Sequence, residues 1–174
     1  MSTSPITLHA APSVGFEAPF EMLDACHRRV ERLLGLLGRL AEHLPAHGAD
    51  AQAQQAAVDV MRYFDLAAPH HHEDEERHLL PRLRAAGHAA LADRIAADHA
   101  AMGAAWRALR ERLAAIAEGR LPVDGLAGWR EFTALYEAHV ALEDGEAYPQ
   151  ARALVDAAGL AAMADEMARR RGVR

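Results

Sequence analysis

The chain has 174 residues, 51% of them hydrophobic, enough for one domain with a core of its own and too few for a second large one. Aromatic residues are only 5% and alanine is abundant, which disfavours a β-sandwich or barrel. The net charge is −6, carried against arginine alone because lysine is absent, and no basic run is present, so nucleic acid is excluded as an expected partner.

Residues 1–15 hold Pro5, Pro12 and Gly15 and read as a flexible N-terminal arm, followed by one domain over 16–172. From Phe16 a first helical stripe runs through Phe20, Leu23, Val30, Leu34, Leu37, Leu40 and Leu44 and stops near Pro45 and Gly48. A second run spans about 49–86, with Pro69 expected to kink or split it. A third spans about 88–117 and stops at Gly119 and Pro122, and a fourth spans about 123–158 with Pro149 near its end. Residues 160–171 suit a short terminal helix. Four long helices with short connections predict an all-α, antiparallel up-down-up-down four-helix bundle.

Cys26 is the single cysteine. A disulfide framework and a thiolate-rich zinc site are both excluded, and the residue reads as a small core filler. No 18-residue apolar stretch and no signal-peptide pattern occur. A soluble protein of a reducing, cytoplasmic setting is expected, with no membrane partner.

The 11 histidines are the anomaly. Two segments, His71 to Pro81 and His139 to Pro149, share the pattern His-x3-Glu-x5-Pro, offset by 68 residues. The offset selects His71 from the triplet His70-His71-His72. A spacing of four puts His71 with Glu75, and His139 with Glu143, on one helical face one turn apart, where their donor atoms can converge on one ion. Imidazole with carboxylate suits iron, manganese or zinc. Helices one and three each offer one histidine inside an apolar stripe, His27 and His99, separated by 72 residues. Four histidines and two glutamates form a ligand set in which the glutamates enter from opposite sides and can bridge two ions. Glu76 and Asp144 follow the two glutamates directly and are candidates to orient the imidazoles, with Asp24 and Asp98 in the same standing.

Other residues carry plainer readings. His70 and His72 flank the set and read as surface or orienting groups. His78 forms Glu-x-x-His with Glu75, but that pattern has no second copy. His9, His43, His47 and His88 fall in the arm or at turns and read as surface. Tyr63, Phe64, Trp106, Trp129 and Tyr136 read as core filler, and Pro81 and Pro149 as ends of straight helix.

On the repeated motif, with His27 and His99, the chain resembles the hemerythrin-like, or HHE cation-binding, family over roughly residues 20–150. The resemblance implies a bundle holding an oxo- or hydroxo-bridged di-iron centre. It places His27 and His71 on one iron, His99 and His139 on the other, and Glu75 and Glu143 between them; zinc or manganese are alternative ions. It implies a small partner: dioxygen or nitric oxide to bind or sense, or peroxide, within an iron or oxidative-stress response. Two departures separate the chain from the oxygen carriers. Gly103 stands where they place a second third-helix histidine, and His139-x3-Glu143 replaces their His-x4-Asp. A coordination position is therefore expected to be open, facing a small pocket lined by Ala100, Met102, Gly103 and Ala104. The alternatives are an enzyme acting on peroxide or nitric oxide at the same site, and an iron store or structural metal bundle.

Overall fold

A computed structural model describes residues 15–173. The arm expected over 1–15 lies outside the described residues except for Gly15. Helix α1, Pro19–His47, buries Phe20, Leu23, Val30, Leu34, Leu37, Leu40 and Leu44 along one stripe. Pro45 sits inside its last turn instead of ending it, and Gly48 closes the helix with a φ of 66° and an N–H donated to the Leu44 carbonyl.

The second rod contains α2 (Ala51–Arg62), a π-helical turn (Tyr63–Ala67), α3 (Ala68–His78) and α4 (Leu80–Ala85). Asp50 caps α2 by accepting the Ala53 N–H at 2.9 Å. The irregularity expected at Pro69 lies just before it. Pro69 has no N–H for the Asp65 carbonyl, and its ring would crowd that group in a regular helix. The wide turn, in which the Ala68 N–H reaches back to the Tyr63 carbonyl, relieves the conflict.

The third rod is the uninterrupted α5, Ala89–Ala117. The fourth contains α6 (Trp129–Leu142), a second π-helical turn (Glu143–Ala147) and α7 (Tyr148–Ala153). It starts later than expected from the sequence, because 123–128 fold as turns with positive φ at Gly125 and Gly128. Pro81 and Pro149 do not end their rods. Each sits in the first turn of a further short helix, α4 or α7, where a missing N–H costs little. The terminal helix, α8, spans Ala157–Arg170 and is capped by Asp156.

The rods pack in a ring. α1 lies against α2 and α6, and α5 lies against α2, α4 and α6. This is the expected all-α bundle, with no strand among the described residues. Among the described residues no helix is long and apolar enough to cross a membrane. The apolar interior falls into two clusters. One holds Val30, Leu34, Leu37, Phe64, Met102, Trp106, Phe132 and Tyr136 among others. The other holds Phe20, Leu23, Leu79, Leu80, Leu83, Ile95 and Tyr148, sealed by Met163 and Met167 of α8. A layer of polar side chains lies between them.

Candidate metal centre

Each rod contributes to the polar layer by replacing one level of its apolar stripe. On α1 the order is Leu23, His27, Val30, and on α5 it is Ile95, His99, Met102, all buried. On the second rod Ala68 and Leu79 bracket His71 and Glu75, and on the fourth Tyr136 and Ala147 bracket His139 and Glu143. All six polar residues are at most 6% exposed, so their charge has to be met inside the protein.

The structure brings all six sequence-predicted residues together. The two glutamates lie at the centre. His27 Nε2 is 3.2 Å and His139 Nε2 is 3.1 Å from Glu143 Oε2. His71 Nε2 is 3.4 Å from Glu75 Oε1, and His99 Nε2 is 3.3 Å from Glu75 Oε2 and 3.9 Å from Glu143 Oε1. Two groups result: His27, His71, Glu75 and Glu143, and His99, His139, Glu75 and Glu143. Within each, the donor atoms lie within 4.8 Å of one another. The groups share both glutamates.

Glu75 Oε2, Glu143 Oε2, His99 Nε2 and His139 Nε2 are buried without a hydrogen-bond partner. Buried polar atoms are rarely left so. Imidazole and carboxylate atoms gathered this closely are the donor set of a transition-metal ion, so these residues fit such a group.

Electrostatics agree. Burial alone would push the His27 imidazole down, but Glu143, Glu75 and Asp144 beside it raise its pKa to about 9. His99 follows the same pattern, with Glu75 and Glu76 raising it to about 9 against burial. Burial, then the charge of His27, lowers His71 to about 3. Burial, then the charge of Glu143, pushes Glu75 up to about 7. Burial would also raise Glu143, but His139 and His27 hold it below the usual carboxylate range. The carboxylates thus demand positive charge at their centre, and protonated histidines meet that demand when no ion does.

Acids beside the six residues orient the rings. His27 Nδ1–H donates to Asp144 Oδ1 at 2.8 Å, and His99 Nδ1–H donates to Glu76 Oε1 at 2.8 Å. The acid following each central glutamate therefore pins an imidazole from another rod and leaves its Nε2 facing inward. Asp98 Oδ2 lies 3.6 Å from His139 Nδ1, whereas Asp24 pairs with Arg152 at 2.6 Å. His78 bonds Glu166 and stays outside the set.

Two residues at the site have no signal in the repeat. The Tyr148 hydroxyl donates to Glu75 Oε1 at 2.5 Å and stands 3.0 Å from His27 Nε2. His72 stacks on His99 with ring centroids 4.1 Å apart, and its donor atoms group with those of His99 and His139. The four residues expected to line a pocket on helix three do not share a face. Ala100 and Ala104 face outward, and Met102 is part of the core. Positions one and five after His99 point away from its face at 100° per residue. At Gly103 an added Cβ would meet nothing within 4 Å. The cleft that reaches the site, about 280 Å³, opens over His27 and Tyr148, with Asp24, Asp144 and Arg152 at its rim. Burial, then Asp74 and Glu75, raises the Cys26 thiol to about 11 and disfavours its thiolate.

Comparison with known proteins bears on the same residues. A family model described as the hemerythrin HHE cation binding domain matches residues 18–151. An uncharacterized protein of Haemophilus influenzae is 33% identical over 159 residues, covering 90% of this chain and 91% of its own.

Proposed function

Because the chain belongs to the hemerythrin HHE cation-binding family, we propose that it is a non-haem di-iron protein that binds or senses dioxygen or nitric oxide in an iron or oxidative-stress response. The observation that carries this reading is the pair of buried ligand groups sharing Glu75 and Glu143, with partnerless donor atoms facing one another. His27 and His71 would hold one ion, His99 and His139 the other, and the two glutamates would bridge. A bound iron pair supplies one- and two-electron chemistry toward a diatomic ligand.

The chain's own residues set the conditions for it. Glu76 and Asp144 hold His99 and His27 by their Nδ1–H groups. Tyr148 keeps its proton, since burial and then Glu75 and Glu143 raise it well above the ordinary phenol value, and so acts as a donor to Glu75. Apolar clusters flank the layer on both sides. A cleft of about 280 Å³ over His27 and Tyr148 is the approach for a small ligand.

The test is to purify the protein without oxygen, count metals per chain, then admit air or nitric oxide under an optical spectrometer. About two irons per chain are expected, with charge-transfer bands of a bridged iron pair appearing on oxidation. One tightly held zinc with no optical response would overturn the reading.

A further inference from the structure

We propose that the turn between α1 and α2 carries a separate surface site for a late first-row divalent ion such as zinc, built from His43, His47 and Asp50. His43 and His47 lie one turn apart at the end of α1, on the same face. Gly48, with its φ of 66°, turns the chain back so that Asp50, the cap of α2, meets them. His43 Nε2 is 3.1 Å from Asp50 Oδ1, the two imidazoles stack with centroids 4.3 Å apart, and donor atoms of all three residues lie within 4.8 Å of one another.

Atoms bound to one zinc at about 2.0–2.2 Å sit roughly 3–3.5 Å from each other, so the metal-free spacing needs little adjustment. Two imidazoles and one carboxylate suit zinc, nickel or copper better than magnesium or calcium. The hydrogen bonds of Asp50 to Ala53 and His43 both use Oδ1, which leaves Oδ2 available to an ion. Beside the site lies an open cleft of about 710 Å³ whose walls include Glu42, Gln55 and Asp59, so water can complete the coordination. His27 is 16 residues earlier on α1, about 24 Å away along the axis, so the two sites share no ligand. The ion would staple the end of α1 to the start of α2.

The experiment is equilibrium dialysis of the iron-loaded protein against zinc, for the unaltered chain, His43→Gln/His47→Gln and Asp50→Asn. The unaltered chain should retain one more zinc than the double variant, and zinc should raise its melting temperature and not that of the variant. Asparagine still caps a helix, so Asp50→Asn should melt normally without zinc yet bind it about tenfold more weakly. Equal zinc uptake by the unaltered chain and the double variant would overturn the site. Unchanged affinity in Asp50→Asn would overturn the three-residue assignment. Circular dichroism of each variant checks that the bundle is intact, and the substituted side chains lie outside both apolar clusters.

Discussion

The two halves of the centre are related by the 68-residue offset, and single residues break that relation. Tyr148 corresponds to Leu80, and His72 corresponds to Val140. Glu75 therefore has a phenol partner, whereas Glu143 has none of that kind. Replacing Tyr148 by phenylalanine would leave a Glu75 oxygen unpaired where that side chain is fully buried. We expect this to destabilise the metal-free protein by about 1–3 kcal/mol and to shift the optical spectrum of the loaded protein while its metal count holds. Melting curves and spectra identical to those of the unaltered chain would show the hydroxyl to be idle. The same asymmetry explains what the sequence hid. His27, His71, Glu75, His99, His139 and Glu143 were legible because a pattern repeats or interrupts an apolar stripe. Tyr148 and His72 reach the site by geometry alone, with no counterpart in the other half to mark them.

Among the elements, α8 has more to do than its length suggested. Asp74 is fully buried, and its carboxylate is held by Arg170 and by Arg171, the latter at 2.5 and 2.9 Å. Glu166 of α8 meets His78 at 2.7 Å and Arg170 at 3.1 Å. Replacing both Arg170 and Arg171 by alanine would strand a buried charge, and a loss of about 3–5 kcal/mol is expected in denaturant unfolding. The hydrogen bond from Arg170 outweighs partial burial and, with His78, lowers Glu166 to about 2. Because the folded value lies below the ordinary 4.5, its stabilisation is complete above pH 4.5 and is lost as pH falls toward 2. Docking of α8 should therefore loosen in that window, read by proteolysis at its junction with α7, and Glu166→Gln should flatten the dependence. The existence of α8 was legible from its apolar spacing, but the clamp was not, since it joins residues nearly 100 positions apart. The π-helical turns were also hidden. Prolines 69 and 149 announce irregularity, but each wide turn lies upstream of its proline, because the conflict falls on the carbonyl four residues before the ring.

Across the whole molecule the polar layer governs how stability answers to pH and to metal. Without an ion, His27 and His99 have folded pKa values of about 9 against an ordinary 6.5. Their stabilisation is complete below pH 6.5 and is lost as pH rises through 9. Glu75, raised to about 7, works in the same direction and has finished by then. The chelator-treated protein should thus melt at progressively lower temperature between pH 6.5 and 9. The loaded protein should hold steady, since bound ions replace those protons and add binding energy of their own. Parallel slopes for both forms would show that the layer does not take up metal.

The same division into two apolar clusters has a consequence for timing. Each cluster closes through its own leucines, aromatics and methionines, without help from the six residues between them. The chain is therefore expected to fold before any metal is bound, unlike small metallodomains that collapse only around their ion. The share of chains carrying metal would then follow the supply of that metal and not the rate of synthesis.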